Sequence, residues 1–211
     1  MAAVFPELWR HTMATVKITV AGFAVAAATG IGLSVLLHAV APVLRRPVYP
    51  LLVVTQTVPT IAIAPLIVFW LGYGILPKVV IITLVCFFPI LVSTLQGYAN
   101  TDPTMRNYML MIGASRWQLF RRLEWPSALP FLFAGLRVAT AYSVIGAVIA
   151  EWLGAQYGLG IAIRLYASTF NVARMFACIV MIVAFSLLFF ALVVLLEKRM
   201  IRWRPAGKER P

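Results

Sequence analysis

Five long apolar runs, at about residues 16–40, 51–71, 76–95, 128–153 and 172–196, constrain this chain more than any other feature of its sequence. A helical bilayer crossing takes about 20 residues, and in hydrocarbon only a helix or a closed barrel satisfies its own backbone polar groups. Continuous runs of this length read as helices. The expected fold is therefore all-α and polytopic, with about five transmembrane helices. Of 211 residues, 63% are hydrophobic and 11% charged, which leaves nothing from which to build a separate water-soluble domain. Residues 1–211 read as one transmembrane domain. The opening MAAVFPELWRHTMA carries Glu7, Arg10 and His11 where a cleavable signal peptide would need an apolar centre. Gly22, Gly30 and Gly32 in the first run predict close helix packing. Pro59 and Pro65 in the second run and Pro89 in the third predict kinks, because neighbouring helices can satisfy the freed carbonyls.

The charges set an orientation. Lys and Arg number 18 against 6 Asp and Glu. On one side of the five-span arrangement lie Arg45, Arg46, Arg106, Arg116, Arg121, Arg122 and the six cations between Lys198 and Arg210; the other side has Arg10, Lys17, Lys78, Arg164 and Arg174. Cytoplasmic connections collect Lys and Arg, so the richer side is inside. This puts the amino terminus and the 154–171 connection outside, and the 98–127 segment and the basic 197–211 tail inside. Arg137, in the fourth run, is expected to reach the inner interface, as is His38 at the end of the first. The basic excess is thus a membrane signature and implies no nucleic acid. GAQYGLG at 154–160 reads as a flexible or tightly turned connection.

No catalytic or metal site is expected. His11 and His38 lie a whole span apart without a carboxylate cluster, and Cys86 and Cys178 sit inside apolar runs. Gly207 and Lys208 are followed by Glu209, so no phosphate-cradling loop is present. Polar residues inside the spans are candidates for a solute path: Gln56, Thr57 and Thr60 beside Pro59, Ser93 and Thr94 in the third run, and Thr140, Tyr142 and Ser143 in the fourth. Isolated hydroxyls in membrane helices more often bond their own helix or a neighbour. Glu151, near the outer end of the fourth run, reads as an outer gate or as an acid reaching the headgroups, with Arg164 as a prospective partner.

One long polar segment remains, between the third and fourth runs. Asp102 and Pro103 predict a helix start, and Met105, Tyr108, Met109 and Ile112 recur at helical spacing until Gly113. Ser115 with Gln118 is a capping-box pattern opening a second short helix. That helix carries Trp117, Phe120 and Leu123 along one side, with Arg116, Arg121 and Arg122 elsewhere, and Pro126 is expected to close it. Such a segment could lie on the anionic inner leaflet or present knobs to a partner's groove.

This segment resembles the cytoplasmic coupling loop of bacterial ATP-binding cassette (ABC) importer permeases, whose pattern is Glu-Ala-Ala, three residues, Gly, nine residues, Ile-x-Leu-Pro. Gly113 and Pro126 match, Leu123 stands for Ile and Trp125 for Leu, while Asn107-Tyr108-Met109 replaces Glu-Ala-Ala. The resemblance runs from about Leu8 to Trp203 and is carried also by QTVPTIAIAPLIVFWLGYG (56–74), CFFPILVSTLQG (86–97) and AEWLGAQYGLG (150–160). It is nearest the nitrate, sulfonate and taurine group, and within it the permeases for thiamine precursors such as hydroxymethylpyrimidine, or for riboflavin. Family members often have an additional amino-terminal span.

The resemblance implies a type I importer permease fold in a bacterial inner membrane. It further implies a second permease copy in a homodimer, an extracytoplasmic solute-binding protein, and cytoplasmic ATPase subunits that hold ATP and Mg while this chain binds no cofactor. Asn107, Gly113, Ala114, Ser115, Arg116, Trp117, Phe120, Arg121, Arg122 and Pro126 would form the ATPase-coupling surface. The cargo would be a small organic solute: a pyrimidine, riboflavin, or a sulfonate-, nitrate- or taurine-type anion. The rival readings are an ion-gradient-driven transporter and a membrane scaffold that moves nothing.

Overall fold

The computed structural model describes residues 5–40 and 59–202, and the described residues contain helices and no strands. The first helix, α1 (Phe5–Val40), is longer than the apolar run that announces it. It begins eleven residues before Val16 because Leu8 is buried in a cluster with Leu159, Ala162, Tyr166 and Cys178, and tertiary packing extends the helix past its apolar signal. Glu7 in the first turn also suits the positive end of the helix dipole.

The second run is seen as α2 (Thr60–Leu71), with Pro65 inside it; Gln56 and Thr57 lie outside the described residues. Gly72 and Gly74 turn the chain into α3 (Ile75–Ala99), which contains Pro89. Next come α4 (Pro103–Met111), α5 (Arg116–Leu119), a π-helical turn at Phe120–Glu124, and α6 (Trp125–Trp152). Pro126 does not close a helix. It comes just after the π turn, whose wider winding leaves room for its ring beside the preceding carbonyls. The chain is therefore helical from Arg116 to Trp152 without interruption. The 154–171 connection is not all turn, because α7 (Leu159–Ser168) forms within it. The last helix is α8 (Val172–Met200), capped by Asn171, whose side chain accepts from the Arg174 N–H.

Among the described residues four helical stretches are long and apolar enough to cross a membrane: α1, α3, the α5–α6 stretch and α8. The shorter α2 and α7 are apolar too. At the centre, α3 packs on α6 and α1. Ile18, Ala26, Ile82, Cys86, Ile90, Leu129, Leu132 and Phe133 form the shared core. Glycine makes the closest approaches possible. A Cβ on Gly135 would stand 2.7 Å from the Pro89 carbonyl oxygen, and one on Gly97 would stand 2.7 Å from the Ala128 Cα. In hydrocarbon the drive for helix association is such close packing rather than burial of apolar area. The α8 face bearing Phe176, Val180, Val183, Leu187 and Leu188 stays exposed, as suits a lipid-facing helix.

Candidate functional site

The polar segment folds as an elbow with each end secured. Asp102 accepts from the backbone N–H groups of Thr104 at 2.8 Å and Met105 at 3.4 Å, and Pro103 occupies the first helical turn. At the other end of α4, Gly113 adopts φ +81, the Gly113 N–H donates to the Leu110 carbonyl at 3.1 Å, and the Ala114 N–H donates to the Met109 carbonyl at 2.9 Å. This pair of bonds is a Schellman closure, and the left-handed backbone it requires is cheap only for glycine. Ser115 and Gln118 then complete a capping box, with the Ser115 N–H donating to the Gln118 side-chain oxygen at 2.8 Å and the Gln118 N–H to the Ser115 hydroxyl at 3.3 Å.

This rigid elbow is largely uncovered. No residue of α4 is buried, although Met105, Tyr108, Leu110 and Met111 are apolar or aromatic. Asn107, Gly113, Ser115, Arg116, Arg121 and Arg122 are exposed and Ala114 is half-buried. Trp117, 66% exposed, stacks on Phe120 with ring centroids 5.9 Å apart. Phe120 turns inward towards His38, Tyr98 and Trp125, and Leu119 anchors the second limb in the interior. The result is a firm scaffold that presents arginines and large apolar side chains together, the composition of interaction hot spots.

Sequence reasoning missed the polar cluster beneath the elbow. Glu124, buried in the π turn, accepts from His38 Nε2 on α1 at 2.7 Å and lies 3.4 Å from Arg106 Nε on α4. His38, in the last turn of α1, also stacks on Tyr98 with centroids 4.2 Å apart. Arg137 likewise ion-pairs with Glu197 on α8. An acid and a histidine 86 positions apart carry no local signal of being partners.

At the opposite end of the bundle, Glu151 is fully buried and held in a fixed network. Its Oε1 accepts from the Thr15 hydroxyl at 2.6 Å and its Oε2 from the Gly160 N–H at 2.6 Å. The Leu159 N–H donates to Thr15 Oγ1 at 2.8 Å, and the Gly158 N–H donates to His11 Nδ1 at 3.0 Å. Glu151, Thr15 and His11 thereby satisfy three N–H groups at the start of α7, which no short side chain of its own caps. Arg164 is not the partner of Glu151; it donates to the Trp152 carbonyl at 2.9 Å.

The candidate path residues divide. Thr94, Thr140 and Ser143 are buried and donate to carbonyls of their own helices. Tyr142 is exposed, while Thr60 and Ser93 are half-buried. None of these lines the two cavities at the Glu151 end. One cavity is bordered by Pro65, Tyr73, Trp152 and Arg164, and the other, of about 710 Å³, by Trp9, Arg10, Lys17, Lys78 and Tyr157. Among the described residues no group of three or more His, Cys, Asp or Glu is placed to hold a metal ion.

Comparison with known proteins fits this arrangement. The chain is 42% identical over 194 residues to the formylaminopyrimidine transport permease protein ThiX of Halalkalibacterium halodurans, covering 92% of this chain and 77% of that one. It is 34% identical over 196 residues to the riboflavin transport system permease protein RibX of Chloroflexus aurantiacus, with 93% and 73% covered. The putative aliphatic sulfonates transport permease protein SsuC of Bacillus subtilis is 27% identical over 200 residues, with 94% and 71% covered. Two solved structures share the fold. An amino acid ABC transporter crystallised with histidines superposes with a TM-score of 0.71 at 14% identity over 96% of both chains, and the methionine ABC transporter MetNI with 0.65 at 19% identity over 94% of both. Both are type I importer permeases in fold. With residues 28–202 matching the family described as binding-protein-dependent transport system inner membrane component, the chain belongs to that family, the multi-pass inner-membrane permease subunits of ABC importers.

Proposed function

We propose that residues 98–127 are the handle by which a separate cytoplasmic ATPase drives this permease. The observation that carries the reading is α4 and the adjoining turn: a doubly capped, rigid elbow whose Met105, Tyr108, Met111, Ile112 and Trp117 are exposed in the isolated chain. Arg116, Arg121 and Arg122 give its surface a positive field suited to an acidic groove. In this reading Asn107, Gly113, Ala114, Ser115, Trp117 and Phe120 form or shape the contact, and Pro126 passes the movement into α6. ATP and Mg stay on the ATPase, and closure of its subunits moves the spans as rigid bodies.

The working unit is two permease copies with an extracytoplasmic solute-binding protein at the Glu151 end, the amino terminus outside and the carboxyl terminus inside. The solute is a small heterocycle of the formylaminopyrimidine kind, supported by the relative at 42% identity. The path is proposed to run past Thr60, Ser93 and Tyr142, which keep some exposure in the isolated chain.

The test is uptake of labelled formylaminopyrimidine by cells making the permease, its ATPase and its binding protein. Gly113→Pro removes the N–H that closes α4, and Trp117→Asp puts a charge in the apolar contact. Both variants should insert normally, lose the ATPase on purification and abolish uptake. Normal transport by either variant would refute the handle. Uptake should stop on ATP depletion and survive an uncoupler; the reverse result would favour an ion-gradient mechanism.

A further inference from the structure

The elbow is continuous in the chain with α3 and α6, but α1 is not: α1 leads into residues 41–58 and then α2. A displacement of the elbow therefore reaches α3 and α6 along the backbone, whereas it must reach α1 across side-chain contacts. Those contacts are an apolar sleeve and a hydrogen bond to a buried carboxylate. Leu33 and Leu37 of α1 pack with Leu95, Tyr98, Phe120 and Trp125. Inside that sleeve Glu124 takes His38 of α1 on Oε2 at 2.7 Å and faces Arg106 of α4 with Oε1 at 3.4 Å.

Glu124 thus joins three elements: the first limb of the elbow through Arg106, the second limb to which it belongs, and α1 through His38. Exposed ion pairs hold geometry weakly. Glu124 is 7% exposed, so sliding α1 past the elbow would take His38 from its Oε2 and leave Arg106 as its one charged contact among the described residues, a costlier break than at the surface. Its position in a π turn, a local irregularity common at functional sites, aims the carboxylate inward while the flanking Arg121 and Arg122 stay exposed. We infer that Glu124 is a positioning residue that locks α1 to the elbow, so that a push on the elbow moves α1 together with α3 and α6. The inference rests on the handle reading above.

The experiment places spin labels at Leu36 on α1 and Met105 on α4, both exposed. Their separation is measured in the chain alone and in its complex with the ATPase, with and without ATP and vanadate. The wild-type chain should give one narrow distance distribution in every state. Glu124→Gln and, independently, His38→Gln should broaden it, retain the ATPase, and cut solute moved per ATP roughly tenfold, the scale of effect expected from altering one member of a coupled network. If Glu124→Gln fails to insert, His38→Gln carries the test. A narrow distribution in the variants, or a broad one in the wild type, would overturn the lock. Loss of the ATPase from Glu124→Gln would make Glu124 part of the docking surface and also overturn it. Failure of the wild-type chain to hold the ATPase would instead sink the handle reading, while the distances in the chain alone still judge the lock.

Discussion

Glu151 shows how much a single side chain can organise. Its carboxylate and the Thr15 hydroxyl together serve the N–H groups of Gly160 and Leu159, so truncating either leaves buried donors without acceptors. Glu151→Ala is expected to lower stability by about 2–4 kcal/mol and Thr15→Val by about 1–2 kcal/mol. Thermal unfolding of the purified chain in detergent checks both. The double variant should lose less than the sum, because the two residues share one network. Glu151 was visible in the sequence as an unusual acid near a span's end. Its role was not, since Thr15 stands 136 positions away and a hydroxyl near the end of a helix has many bland explanations.

At the scale of elements, the parts legible beforehand were those written in neighbouring residues. Asp102-Pro103, Gly113 and the Ser115–Gln118 pair each specify a helix terminus through contacts within a few positions, and all appear as expected. The early start of α1, the helix α7 and the passage through Pro126 depend on distant packing or on a local change of helical type, which periodicity does not encode. The crossing of α3 and α6 is set in the same non-local way, by Gly135 against Pro89 and Ser93. Gly135→Val should force these helices apart and cost about 3 kcal/mol by overpacking. The expected readout is a lower melting temperature together with faster proteolysis, while Gly32→Val, at a position with open space, should leave both near wild type.

For the whole molecule, the exposed elbow and the Glu151 network occupy opposite ends of the same bundle, so sidedness is open to direct measurement. A cysteine at Met111 should react with a membrane-impermeant maleimide only when the cytoplasmic face is accessible, and one at Tyr73 only from outside, both being exposed positions. The opposite pattern would invert the orientation drawn from the distribution of Lys and Arg. The π turn at Phe120–Glu124 carries a further consequence for how such a protein tolerates change in chain length. Each residue of an α-helix advances the azimuth by about 100°. The wide turn works as a phase shifter, letting the direction in which Trp117 points be chosen separately from the direction in which Leu129 and Leu132 point. Removing one residue within it would restore uniform winding, bring the Pro126 ring back against the preceding carbonyls, and turn the Trp117 limb by about 100° relative to α6.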